Sequence, residues 1–222
     1  MLVYGLLAIS FLIVGLSQIF VQYAYRKYSK VETKNGVSGA EVARDLLKKN
    51  GLNDVYVVEI DGFLTDHYDP TRKVVRLSKT NYRGTSVSAV SVASHECGHA
   101  LQDKDGYLFM RIRHMMVPIT NLASFFGYIV LMIGVVATLT DLIWLGIALE
   151  IIVLLFQIVT LPVEVNASKR ALNIIKKENY LVDKEFKEGK YVLIAAALTY
   201  VASVASNLLE VIRLVLIFTR RD

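Results

Sequence analysis

Ser94-His95-Glu96-Cys97-Gly98-His99-Ala100 spells His-Glu-x-x-His inside a stretch expected to be helical from about Ser86 to Gln102. Positions four apart share a helical face, so His95 and His99 can offer two imidazole nitrogens to a single ion. Glu96 stands beside the first histidine, placed to take a proton from a water held by that ion rather than to bind the ion itself. Cys97 lies about 200° around the helix from His95, so it should point away and serve packing. Hydrolytic zinc sites use three protein ligands and leave the fourth position for water. Two histidines are therefore an incomplete set, and the chain must supply a third donor.

The rest of the chain is too apolar for an ordinary soluble domain: 54% of its 222 residues are hydrophobic. Residues 2–25 carry no charge and stop at Arg26-Lys27, long enough for one helical span. Because no basic segment precedes that run and no small-x-small cleavage pattern closes it, it reads as a retained anchor rather than a signal. A second uncharged run covers His114 to Thr140, and Asp141 marks a short turn. The third, Leu142 to Val163, is interrupted only by Glu150, and Pro162 should bend or end its helix at the membrane surface. A fourth starts at Tyr191 and continues past Glu210 and Arg213 to Phe218, with Ala195, Ala202, Ser203 and Ser206 suited to close helix packing.

The expected fold class is an α-helical multi-pass membrane protein with about four transmembrane helices and a small α+β zincin-like cytoplasmic domain. Its expected divisions are an anchor at 1–25, the domain carrying the motif at 26–113, a transmembrane hairpin at 114–163, a cytoplasmic helical segment at 164–190, and a fourth span with its tail at 191–222. Orientation follows the basic residues: 15 of the 25 Lys and Arg fall in 26–113 and 7 in 164–190, so both segments should be cytoplasmic. The Arg220-Arg221 tail then falls outside, against the same rule. Within 26–113, Ser38-Gly39-Ala40-Glu41 is a capping-box pattern, opening an amphipathic helix that Asn50-Gly51 stops. Val55 to Ile60 reads as a strand, Asp66-His67-Tyr68-Asp69-Pro70 as a turn, and Lys73 to Ser78 as a second strand. That second strand is the expected edge along which a peptide would lie.

For the third ligand, His67 lies in a loop and His114 at a membrane boundary. Glu164 is the strongest candidate, just past Pro162 at the cytoplasmic end of the third span; gluzincin-type sites take a glutamate from a helix downstream of the motif.

Asp66 to Pro70, Val75 to Ser78, Ala93 to Gln102 and Leu161 to Ala171 together resemble the bacterial YugP-type neutral zinc metallopeptidases, over nearly the whole chain. The resemblance implies one zinc ion per chain on His95, His99 and Glu164, with Glu96 as the base. That family more usually has Asp at the position of Asn166; Asn can still accept a hydrogen bond that orients a ligand histidine, without the charge. His67 and its acidic neighbours are a candidate substrate contact or a solvated turn. Lys169 and Arg170 fit either oxyanion stabilisation or anionic lipid. Glu150 and Arg213 come out at similar depths and form a candidate intramembrane pair, with Glu210 one turn away on the fourth helix.

The function expected from these features is a membrane-embedded zinc metalloendopeptidase acting on a peptide or membrane-protein substrate, in the cell membrane, with its catalytic domain facing the cytoplasm. A zinc-stabilised scaffold or assembly factor, or a transport-associated subunit using Glu150, Glu210 and Arg213, stays open as the alternative. Nucleic acid is not an expected partner, since no basic-aromatic binding module is visible. The single cysteine excludes an internal disulfide and fits a reducing compartment.

Overall fold

The computed structural model describes residues 2–219. The chain is mostly helical. It runs α1 (Leu2–Tyr28), α2 (Gly39–Lys49), β1 (Tyr56–Ile60), β2 (His67–Asp69), β3 (Val74–Ser78), α3 (Lys79–Arg83), α4 (Val87–Lys104), α5 (Leu108–Val136), α6 (Thr140–Lys177) and α7 (Asp183–Thr219). Among the described residues four helices, α1, α5, α6 and α7, are long and apolar enough to cross a membrane. Arg220 and Arg221 lie outside the described residues.

Each long helix exceeds its uncharged run. α5 begins at Leu108 rather than His114 and carries Pro118 inside. α6 continues through Pro162 to Lys177 instead of ending there. Proline removes one N–H and one helical hydrogen bond, but Val163, Ala167, Ala171 and Ile175, four residues apart, are all fully buried. That apolar stripe keeps the chain helical beyond the proline. α7 likewise starts at Asp183, ahead of the uncharged run.

The described chain divides into two compact units. The first comprises Met1–Gln18, Arg111–Pro162 and Leu198–Asp222. In it α5 and α6 approach so closely that a Cβ on Gly146 would come within 2.9 Å of the Leu131 backbone, and Leu131, Ile143, Ile147 and Leu214 form its core. The ion pair on α7 joins Arg213 to Glu210, one turn earlier on the same helix. Glu150 takes no part in it and lies against Gly127 instead, where a Cβ would sit 3.2 Å from Glu150 Oε1.

The second unit comprises Ile19–Met110 and Val163–Ala197. Its sheet has the order β1-β3-β2, with β1 parallel and β2 antiparallel to β3. Two expectations change here. Residues 66–70 are not wholly a turn, because His67–Asp69 pair with Val74–Arg76. Asp69 Oδ1 accepts from the backbone N–H groups of Thr71 and Arg72, which closes the hairpin. As a result β3 is the central strand, bonded on both sides, and cannot be the free edge. The free edge of the β2–β3 pair belongs to β2.

The helices start as their caps dictate. Ser38 and Glu41 form the capping box of α2, and Gly51 takes the left-handed conformation (φ 71°) after it. Ser86 caps α4 by accepting from the Ala89 N–H. Ala43, Leu46, Leu47, Val75, Leu77, Ala93 and Cys97 then share one core between α2, the sheet and α4. Leu77→Ala in the central strand should destabilise this unit by about 2–5 kcal/mol. The check is a downward shift of the thermal transition of the detergent-solubilised chain, with helicity by circular dichroism unchanged before it.

Candidate metal centre

α4 carries His95 and His99 one turn apart, with ring centroids 4.8 Å apart. The third member comes from α6, and the reason it can reach them is Gly98. A Cβ at that position would lie 2.6 Å from the Ala167 carbonyl oxygen and 3.2 Å from the Ala167 Cα. With only hydrogen there, the two helix backbones meet. Glu164, one turn before Ala167, is thereby brought to the histidines.

Glu164 Oε2 lies 3.3 Å from His95 Nε2 and 3.6 Å from His99 Nε2. One ligand atom from each residue lies within 4.8 Å of the others. Zinc bonds of about 2.0–2.2 Å with tetrahedral angles separate neighbouring ligand atoms by roughly 3.3–3.6 Å, so two edges of this triangle already have the required length. Glu164 and His99 are buried, and His95 is nearly so.

Hydrogen bonds at the far side of each ring decide what the near side presents. Arg170 has only donors, and its Nε donates to Asn166 Oδ1 at 2.8 Å. The same oxygen accepts from Gln102 Nε2 at 3.0 Å, and Gln102 Nε2 also donates to the Val163 carbonyl at 2.7 Å. Gln102 must therefore turn its carbonyl Oε1 toward His99 Nδ1, 3.0 Å away, and that nitrogen must donate. A neutral imidazole with its proton on Nδ1 has a lone pair on Nε2. Ser168 Oγ occupies the equivalent place at His95 Nδ1, 3.2 Å away. The Nε2 lone pair of His99, His95 Nε2 and a carboxylate oxygen thus converge in a buried space. The donor set fits zinc: such groups repel one another until a cation, or protons on both rings, lies among them.

Glu96 points to the same region and is buried. Burial pushes its carboxyl up to about 7, and the nearby Glu164 and Asp66 charges add to the rise against the opposing pull of His95. The Tyr68 backbone N–H of β2 also opposes the rise, which places that strand beside the site. Cys97 faces the opposite way into the core near the Ala43 carbonyl, and burial raises its thiol pKa.

His67 does not join this group. Its Nδ1 donates to the Thr65 carbonyl and its Nε2 faces Arg76. Asp66 is engaged by the Ser78 N–H and hydroxyl and by Asn81. Asp69, besides closing its hairpin, pairs with Arg76. Arg170 divides its guanidinium between Asn166 and Asp105, while Lys169 is exposed. The residues that sequence reasoning missed are Gly98, Gln102 and Ser168. Their spacing carried a signal: Gln102 is three residues beyond His99, and Ser168 four beyond Glu164, each on the ligand's own helical face.

The family model described as "Putative neutral zinc metallopeptidase" matches residues 3–219. The chain belongs to that family of neutral zinc metallopeptidases. It is 48% identical over 202 residues, 91% of this chain and 90% of the relative, to the protein of Bacillus subtilis (strain 168) named "Putative membrane protease YugP". No solved structure matches the chain.

Replacing Gln102 by Leu should weaken zinc binding about 10–100-fold, as loss of a ligand's hydrogen-bond partner does elsewhere. Gln102→Glu keeps an acceptor for His99 and should weaken it less. Competition with a chromogenic chelator measures both. Gly98→Ala should weaken it by parting α4 from the Ala167 backbone.

Proposed function

We propose that the chain is a membrane-anchored zinc endopeptidase that cleaves peptides or membrane-protein segments at the cytoplasmic face of the cell membrane. In this reading residues 1–25 anchor the chain, 26–113 form the zincin-like domain, 114–163 and the helix within 191–219 cross the bilayer, and 164–190 contribute the third ligand from the cytoplasmic side. The observation that carries it is the convergence of His95 Nε2, His99 Nε2 and Glu164 Oε2 beside the buried Glu96. The cytoplasmic assignment rests on the basic residues gathered in 26–113 and 164–190.

His95, His99 and Glu164 would hold the ion. Zinc, when bound, supplies a Lewis acid that polarises the scissile carbonyl and makes a water acidic enough to attack near neutral pH. Glu96 receives the proton of that water on a carboxylate oxygen as the oxygen adds to the carbonyl carbon. It then delivers the proton to the leaving amine nitrogen as the C–N bond breaks. Gln102 keeps the His99 imidazole in the tautomer that offers Nε2, and Ser168 would do the same for His95 by accepting from its Nδ1. An extended substrate would lie along the outer edge of β2, next to Glu96, rather than along β3.

The test is zinc content and peptide cleavage by the chain purified in mild detergent, wild type against two variants. Glu96→Gln should retain zinc and lose cleavage about 10²–10⁴-fold. Glu164→Ala should lose zinc. Equal cleavage by wild type and Glu96→Gln would overturn the enzyme reading and favour a zinc-stabilised scaffold.

A further inference from the structure

The loop from Asp61 to Asp66, which joins β1 to β2, is closed from within. Gly62 adopts φ 115°, and a Cβ there would lie 2.4 Å from the Thr65 methyl, so Thr65 fills the inside of the turn. Thr65 Oγ1 donates to the Asp61 carbonyl at 3.1 Å, and Asp66 is bound to the Ser78 N–H at 2.7 Å. With its interior occupied, the loop turns Phe63 and Leu64 outward, 49% and 39% exposed. Leu64 is held at φ 56°, a conformation that costs a leucine more than a glycine. Two large apolar side chains thus stand at the tip of a well-tied turn, outside both cores of this unit.

Their neighbours say what covers them. The Phe63 ring meets Tyr25 edge-on at 5.1 Å, and the Arg26 guanidinium lies 5.9 Å from its centroid. Tyr25 is fixed in turn by donating to Asn81 Oδ1 at 3.0 Å. Tyr25 and Arg26 are where the uncharged run of α1 gives way to charge, the level at which a spanning helix leaves hydrocarbon for headgroups. Arg26, Lys27 and Lys30 are exposed there and, with Tyr23, Gln22 and Ile19, line a groove of about 560 Å³. A cationic groove, aromatic rings and two outward apolar side chains at one depth match the boundary of an anionic bilayer.

We propose that the 61–66 loop is a membrane-docking element: Phe63 and Leu64 enter the interfacial layer, and Arg26, Lys27 and Lys30 hold anionic phospholipid headgroups beside them. The loop leads directly into β2. On the endopeptidase reading, docking would hold the substrate-binding edge at the surface from which membrane-protein segments emerge.

The test uses the full chain in lipid nanodiscs and needs neither zinc nor cleavage. In a Trp144→Phe background, which removes the sole tryptophan, Phe63→Trp or Leu64→Trp reports depth. Phospholipids brominated near the top of the acyl chain should quench either fluorophore at least twofold and shield it from acrylamide. A tryptophan introduced by Thr71→Trp, on the exposed β2–β3 turn, should show the reverse. Brominated phosphatidylglycerol should quench more than brominated phosphatidylcholine, and Arg26→Gln/Lys27→Gln/Lys30→Gln should abolish that excess. Acrylamide access equal to that of the Thr71 probe overturns the proposal, as does shielding without bromine quenching, which would mean a protein covers the loop. Equal quenching by both lipids overturns the headgroup contacts. Quenching in a chain that lacks peptidase activity removes the enzyme reading alone, and active chain without quenching removes the docking alone.

Discussion

The carbonyl of Ala167 occupies the space in which any other residue at position 98 would carry its Cβ. That one contact sets the distance between α4 and the part of α6 that shares its unit, and the cluster of His95, His99 and Glu164 depends on it. His95 and His99 need only an α-helix to be adjacent, a local property of a short segment. Glu164 is 65 residues beyond His99 in the chain, and nothing local brings it there. Its carboxylate reaches both rings because two helical backbones touch one turn away. The glycine in the motif is a packing requirement of the site rather than a filler between ligands.

Much of this was legible beforehand because it is written in local patterns. The capping box at Ser38, the helix start near Ser86, the period of α2 and the four uncharged runs each depend on residues close in sequence. The cluster of His95, His99 and Glu164 was legible as a candidate too, since the motif supplies two donors and Glu164 stands just past Pro162. What escaped was set by tertiary contacts. β2 is three residues long, and its pairing with β3 depends on the Asp69 turn, so the segment alone reads as a turn and β3 as an edge. Pro162 reads as a helix terminus by its own chemistry, yet the buried stripe from Val163 to Ile175 overrides it. Similar depth suggests Glu150 as the partner of Arg213, with Glu210 one turn away on the same helix as a neighbour of the pair. A partner one turn away on the same helix requires no long-range placement, and Glu210 holds Arg213 with two hydrogen bonds.

Asn166 shows how a departure from a family pattern can be absorbed. Had that side chain touched a ligand histidine, replacing a carboxylate by an amide would remove charge directly from the ring's hydrogen bond. Here it touches Gln102 instead, and Gln102 touches His99. The function left to position 166 is to offer one oxygen to two donors, Gln102 Nε2 and Arg170 Nε, and an amide oxygen does this as an acceptor without charge. Direction in this chain of bonds comes from Arg170, which cannot accept and so fixes which end of Asn166 faces inward. The proton on His99 Nδ1, and with it the lone pair on Nε2, is thus determined by a guanidinium three hydrogen bonds away. An aspartate at 166 would also place a second negative charge near Glu164, which Arg170 and any ion held there would then have to balance.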